Sequence, residues 1–588
     1  MSKYTVINYS VETILTYIKQ DEIVVPEIQR PFVWKSSQVR DLIDSLYNEY
    51  PTGYLIIWQN PNVRLKNGGS AVGKKILIDG QQRVTALMTA IVAKSILTEN
   101  YEEKTIKIAF NPTATGDNEK FAVQTSAHIK SSSWIEDISE LFKQNFSRIK
   151  FMKKYLQDNP DADEDEVEAA IEKLINVKNC QLGVIILDSN LDIDAVTEIF
   201  VRINSQGKRL NASDFAMSKI AADKSNGGNL LRKVIDYFCR LSVDAAFYKT
   251  LEGSDSEFMN SEYVAKIAWI KNFSQSIYKP DYADMLRVSF MKAFRRGKLK
   301  DLVSLLSGRD FVKRTFDSSI IEDSFKKLRA GVENFINEYN FRQFVLAIRS
   351  AGFIHGDMLT SKITLDFAYT LYLLLHDDAN IPKTEVKRLV QKWFVLSTLT
   401  GRYIASPESQ MDRDLREIAN KGFKNFFDEN EEALLSESFW SVRLVQNFET
   451  TSTTSPYFSV YLAAQVFSAD KALFSNSVKV SDLILSGGDY HHIFPKEYLK
   501  SNGITDSHRC NQIANYAYLD KPVNIVIGKK SPQEYFGEIA TLKNYPQNLE
   551  ENSLPPSVVT QTYKDYEDFL LNRRRLLADK VKRYYHKL

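Results

Sequence analysis

Asp489-Tyr-His491-His492-Ile-Phe-Pro495-Lys496 places two of the chain's seven histidines side by side. Burying two imidazoles requires partners for four ring nitrogens, so an adjacent pair is unusual in a plain core. A metal site explains it more economically: one imidazole binds a divalent cation and its neighbour takes a proton from water. The competing readings are a surface loop or half of a structural zinc site. Zinc is disfavoured because Cys180, Cys239 and Cys510, the three cysteines, form no C-x-x-C pair. Downstream, the same region supplies Asn515, in Ile-Ala-Asn-Tyr-Ala-Tyr-Leu, and Asn524, in Lys-Pro-Val-Asn-Ile-Val-Ile.

His, Asn and Asn in that order, after an H-I-x-P start, resemble the HNH (ββα-metal) nuclease motif. The resemblance implies that His491 binds the metal and that His492 is the general base. It further implies that Asn515 steadies the loop carrying the base and that Asn524 is the second metal ligand. Mg²⁺ or Mn²⁺ is the expected cofactor. Asp489 stands as a supporting or alternative ligand, and Lys529 and Lys530 lie where phosphates would be clamped. A turn asparagine after Pro522 is the competing reading of Asn524.

At 588 residues the chain exceeds one domain. Its 44% apolar and 26% charged content is ordinary for globular proteins. A net charge of +2 neither argues for nor excludes a nucleic-acid partner, since acids elsewhere balance any basic surface. Scattered cysteines suggest a reducing compartment. The start, Met-Ser-Lys-Tyr-Thr-Val, has no apolar signal core, and Leu371-Tyr-Leu-Leu-Leu375 is too short to span a membrane. A soluble, cytoplasmic protein with no membrane partner is expected.

Taken in order, Ser10 caps a helix over 11–20, and 22–25 reads as a strand. Pro26-Glu-Ile-Gln29-Arg30-Pro31-Phe-Val-Trp34 is a shaped loop, barred by its prolines from regular structure. Arg30 suits bidentate phosphate binding, or ties the loop to a carboxylate. A helix from Ser36 or Ser37 to about Tyr50 leads to a buried-type strand at 54–58. Then Ile76-Leu-Ile-Asp79-Gly80-Gln81-Gln82-Arg83-Val-Thr85 runs from an apolar strand straight into a helix reaching about Leu97. Free N–H groups at such a helix start favour phosphates, and Gly80 permits close backbone approach. Asp79 would hold a metal or orient water, while Gln81, Gln82 and Arg83 donate to phosphate oxygens. A capped helix with a polar first turn is the alternative. No G-x-x-x-x-G-K-[ST] loop is present. Strands at 105–110, 121–124 and 180–187 and a helix at 194–201 precede Arg202-Ile-Asn204-Ser-Gln-Gly207-Lys208, a second polar cluster around a glycine turn.

Pro26-x-x-Gln29-Arg30-x-x-x-Trp34, Asp79-Gly-Gln-Gln-Arg83-x-Thr85 and Phe200-x-Arg202-x-Asn204-x-x-Gly207 resemble the ParB-like N-terminal domain of GmrSD-type, modification-dependent (type IV) restriction enzymes. There the Asp-Gly-Gln-Gln-Arg segment is associated with nucleotide binding and hydrolysis. The resemblance therefore implies an NTP site of Gln29, Arg30, Asp79, Gly80, Gln81, Gln82, Arg83, Arg202 and Asn204, with Asp79 and Arg83 acting in hydrolysis.

Residues 221–450 read as helical, with apolar positions three and four apart. Within them, Arg287, Lys292, Arg295, Arg296, Lys298 and Lys300 form a run suited to a solvated face or to DNA phosphates. Gly401-Arg402-Tyr403 with Ser406-Pro407-Glu408-Ser409 resembles a segment of single-chain members of the family and receives no chemistry. A strand is expected at Ser481–Leu485. The closing helix, Tyr563 to about Tyr585, presents Arg573, Arg574, Arg575, Lys580, Lys582, Arg583 and Lys587 either to DNA or to solvent.

The fold expected is thus multidomain α+β: a ParB-like α/β N-terminal domain (1–220), a helical middle (221–450) and a C-terminal HNH domain (451–588). The function implied is an NTP-regulated, Mg²⁺-dependent endonuclease that cuts modified phage DNA in bacterial defence. One HNH site per chain cuts one strand, so a double-strand break needs a homodimer or successive nicks. Other readings are a phosphorothioate-sensing NTPase and nickase, a nucleotide-switched DNA-binding regulator with a vestigial nuclease site, and an RNA-cutting toxin.

Overall fold

The computed structural model describes the chain apart from residues 1–3, 21, 25–31, 59–74, 98–102, 116–118, 189–211, 224, 312, 314–316, 489, 520 and 540–544. It is mixed α/β, mostly helical, and divides into two compact units, Met1–Val264 and Ala265–Leu588.

The first unit is built on β1 (Tyr4–Ser10), β2 (Ile23–Val24), β3 (Tyr54–Trp58), β4 (Lys75–Asp79) and a later strand, Gln181–Leu187. The sheet order is β1, Gln181–Leu187, β3, β4, β2. The strand Gln181–Leu187 pairs antiparallel with β1, from Tyr4↔Leu187 to Ser10↔Gln181, and parallel with β3. β4 runs antiparallel to β3 and parallel to β2. Helices α1 (Val11–Lys19), α2 (Ser36–Tyr47) and α3 (Gln81–Val92) bring Ile14, Ile43, Val84 and Leu87 into one core with Leu55, Ile57, Leu77 and Val184 of the sheet. Ser10 caps α1 through Thr13 N–H at 3.1 Å, as its residue type predicts.

Three local expectations change. β1 is an added edge strand. The helix α3 stops at Val92, where Ala93 adopts a left-handed conformation, and Ile96–Leu97 is a short strand. Ser481–Leu485 belongs to a helix, Val480–Leu485. Asp482 accepts from Lys479 N–H at 2.9 Å and starts that helix where an apolar run alone suggested a strand.

The second unit is a stack of helices. Tyr282–Phe294 packs on Ser318–Ile336 and on Lys362–Asp377. From there Lys383–Thr400, Pro456–Phe467 and Tyr566–Lys587 follow in contact. Lys362–Asp377 is buried nearly all round, and Tyr369 stacks on Phe344 with ring centroids 4.5 Å apart. The region expected as one helix around 263–278 breaks instead into Tyr263–Ile267 and a 3₁₀ segment, Ala268–Asn272.

Residues 265–450 and 451–588 share this packing. Tyr584 Oη donates to Ala351 O at 2.5 Å, and Lys582 pairs with Glu437 at 2.7 Å. Gly352 (φ +98°) lies so close to the helix Pro456–Phe467 that a Cβ there would stand 2.1 Å from Ala463 O.

Both basic runs are in part internal cement, although Arg295 and Lys300 of the first stand exposed. Half-buried Arg287 bridges Asp284 and Asp366, Lys292 pairs with Asp377, and Arg296 pairs with Asp301 at 3.1 Å. In the last helix, Arg573 is 1% exposed, Lys580 pairs with buried Asp470, and Arg574 reaches Glu449 at 2.5 Å. Arg575 and Lys587 stand exposed, while exposed Arg583 lies 3.1 Å from Asp579. The Arg402-Tyr403 segment is likewise structural: Asp414, fully buried, accepts two 2.7 Å bonds from Arg402 and one of 2.8 Å from Tyr403 Oη.

Candidate functional site

In the second unit the histidine pair lies on a short strand, Tyr490–His492, antiparallel to Tyr516–Tyr518, with His491 opposite Ala517 and His492 opposite Tyr516. A helix, Lys521–Ile527, follows at once and carries Asn524, half-buried. The order is strand, strand, helix. Because side chains alternate along a strand, His492 shares a face with Tyr490 and Tyr516, while His491 lies on the other face with Ala517. The His492 ring meets Tyr516 edge-on at 4.9 Å.

The segment between the two strands is tied down by one fully buried side chain. Asn515 Oδ1 accepts from Phe494 N–H at 2.8 Å, and its Nδ2 donates to Phe494 O and Cys510 O, each at 3.1 Å. Ile493 N–H donates to Asn515 O at 2.8 Å, and Tyr535 Oη donates to Ile493 O at 2.6 Å. Phe494 is clasped by Tyr566 and Phe569, with centroids 5.1 and 4.8 Å away. Arg573 donates to Tyr516 O at 2.8 Å and holds the second strand from behind. His492 is thus placed by backbone that has few ways to move.

His492 Nε2 lies 3.0 Å from Asn511 Oδ1. Burial lowers the imidazole's proton affinity, and Lys496 and His491 push the same way; the Asn511 hydrogen bond pulls against them. The net shift is downward and favours the neutral imidazole, the state a base requires. Reading the sequence missed Asn511, although it stands four residues before Asn515 in Asn-Gln-Ile-Ala-Asn. The other missed anchor, Arg573, was read as surface.

Among the described residues, no three His, Cys, Asp or Glu side chains group to enclose a metal ion. His491 and Asn524 offer one imidazole nitrogen and one amide oxygen. Two such donors meeting at one ion would suit Mg²⁺ or Mn²⁺, which keep several waters or phosphate oxygens, better than a closed zinc site. Asp489 lies outside the described residues. Lys530 pairs with Glu538, and Lys529 is exposed.

In the first unit, Asp79 ends β4 and Gly80 turns the chain directly into α3. Gly80 has φ +92°, and a Cβ would stand 2.2 Å from Leu55 Cδ2, so glycine is required there. Arg83, one turn into α3, donates through Nη1 to Thr52 O at 2.9 Å and lies 3.4 Å from Asp79 Oδ2 through Nη2. Burial lowers the Arg83 pKa, and Asp79 opposes the shift. Gln82 Oε1 accepts from Val33 N–H at 2.9 Å, which fastens the end of the proline-rich loop to the start of α3. Asp79, Gly80, Gln81, Gln82 and Arg83 are therefore one cluster. Gln29, Arg30, Arg202 and Asn204 lie outside the described residues.

A mixed sheet whose strand runs through Asp-Gly into a helix, with a basic side chain on the first turn, is the geometry of the matching segment. Residues 11–221 match the family model described as GmrSD restriction endonuclease, N-terminal domain. The likeness is to the N-terminal domain of that family and covers this part of the chain. Over nearly its whole length the chain is also similar to an uncharacterized protein of Methanocaldococcus jannaschii. The two are 23% identical over 582 residues, spanning 91% of this chain and 88% of that protein. No helix among the described residues is long and apolar enough to cross a membrane.

Proposed function

We propose that this protein is a DNA endonuclease of the HNH type, directed at modified DNA and governed by a nucleotide bound in its first unit. The observation that carries the nuclease reading is the strand–strand–helix order that sets out His491, His492, Asn515 and Asn524, with Asn515 tying the loop behind the base.

In this reading His492 takes the proton of a water that attacks the phosphorus; a bond to the new oxygen forms as one bridging P–O bond breaks. Asn515 keeps the His492 backbone in register with the segment ending at Cys510. His491 and Asn524 would hold the divalent ion, which when bound stabilises charge on the phosphate and the leaving oxygen. In the first unit, the α3 start and Gln81 and Gln82 would receive the phosphates of an NTP, with Asp79 and Arg83 serving hydrolysis.

The test is cleavage of unmodified, hydroxymethylated, glucosylated and phosphorothioate-bearing DNA with Mg²⁺ or Mn²⁺, with and without each NTP. The parent, His492→Ala and Asp79→Ala are compared. Cutting that requires His492 and responds to NTP only when Asp79 is intact supports the division of labour. NTP turnover with no cutting of any DNA would overturn the nuclease reading in favour of a regulator.

A further inference from the structure

We propose that Asn511 is a positioning residue that fixes the tautomer of His492, placing the proton on Nε2 and leaving the Nδ1 lone pair to take a proton from water. The inference rests on the nuclease reading for its catalytic meaning, but its structural half stands alone.

The argument begins with the amide. Asn511 Nδ2 donates to Ser507 Oγ at 2.9 Å. With the amide nitrogen turned to Ser507, the oxygen faces the histidine, 3.0 Å from His492 Nε2. An amide oxygen accepts and cannot donate, so Nε2 must carry the hydrogen. A neutral imidazole with its proton on Nε2 has its free lone pair on Nδ1.

The arrangement is held at both ends. Asn511 closes the short helix Ser507–Cys510, with its own N–H bonded to Ser507 O at 3.1 Å; Asp506 caps the start by accepting from His508 N–H at 2.8 Å. Asn515 grips Phe494, two residues after His492, and Cys510, one residue before Asn511. One buried amide thus sets the distance between the strand bearing the imidazole and the turn bearing its partner. Tyr516, edge-on to the ring, limits rotation of the imidazole toward another acceptor. An acceptor behind the ring that fixes a histidine's tautomer is a general device of catalytic and metal sites, and its loss typically lowers activity about 10- to 100-fold.

The experiment uses the full chain with ¹⁵N-labelled histidine. The His492 signals are identified by their loss in His492→Ala. In the parent, ¹⁵N shifts should show a protonated Nε2 and an unprotonated Nδ1. Asn511→Leu, which keeps the size and removes the acceptor, should give a mixture of tautomers. On supercoiled plasmid DNA with Mg²⁺ it should lower kcat about 10- to 100-fold with KM for DNA unchanged. Asn511→Asp keeps an acceptor and should restore the single tautomer and most of kcat; Ser507→Ala frees the amide to turn and should fall between. An unchanged His492 tautomer in Asn511→Leu, or a parent protonated on Nδ1, would overturn the proposal. A parent with the expected tautomer that cuts no DNA would leave the proton placement standing and count against the nuclease reading instead.

Discussion

Replacing Asn515 by Ala should loosen the hairpin more than almost any other single change in the second unit. The side chain is fully buried and makes three hydrogen bonds, with Phe494 N–H, Phe494 O and Cys510 O. Leaving the Phe494 N–H without a partner costs about 2 kcal/mol, the middle of the range for a buried orphan donor. The two carbonyls lose about 1 kcal/mol each, Cys510 O the less because Tyr566 Oη also approaches it at 3.4 Å. The sum is about 3–4 kcal/mol, a factor of several hundred in any local opening equilibrium. Hydrogen exchange followed by mass spectrometry on the peptide spanning 490–497 reads this directly. Exchange at Phe494 should rise by about two orders of magnitude, with little change in peptides from residues 4–92. Asn515→Asp is the sharper control. It keeps an acceptor for Phe494 N–H but sets a carboxylate oxygen against two carbonyls, so it should be at least as damaging as Ala. Protection at 490–497 within threefold of the parent in Asn515→Ala would refute the view that this amide holds the loop.

Gly80→Ala should destabilise the first unit by about 2–3 kcal/mol, from left-handed strain and displacement of Leu55, seen as a lowered urea midpoint for the α3 region. Asp414→Ala should cost about 3 kcal/mol because half-buried Arg402 keeps its charge unpaired; urea unfolding measures it, and Arg402→Met with Asp414→Ala together should recover part of the loss. Burial raises the Asp470 pKa to about 6, against the pull of Lys580. The folded chain therefore holds this proton more tightly than the unfolded chain. The associated stability is full below about pH 4 and is lost as pH rises through about 6, at most about 3 kcal/mol; Asp470→Asn should flatten that window in a stability–pH series.

The parts of the fold legible in the sequence are those whose cause is local. Ile76 to Arg83 spells out an apolar strand, a glycine turn and a helix within eight residues, and the structure has them there. His491, His492 and Asn515 stand out through residue types with specific chemistry, while the short strand Tyr490–His492 that carries the histidines does not. What escaped depends on partners far along the chain. β1 is mostly exposed and shows no alternation, and its pairing partner begins at Gln181. Charge runs do not say where their counter-ions lie: Arg287 meets Asp366 and Lys580 meets Asp470 only once the helices pack. Asn511 was passed over for the same reason, since its worth comes from facing His492 across the hairpin.

The seating of Tyr584 against Ala351, of Lys582 against Glu437 and of Gly352 against Ala463 bears on how such a chain can be inherited. Small nuclease domains are often imagined as cassettes that recombination moves from gene to gene. Residues 451–588, moved alone, would leave behind the acceptors for their own last helix. A transfer that began at residue 451 would carry the histidines but strand a tyrosine hydroxyl and a lysine without the groups that seat them. The heritable unit is therefore the whole of Ala265–Leu588, and surviving gene fusions should break upstream of its helices, not inside them.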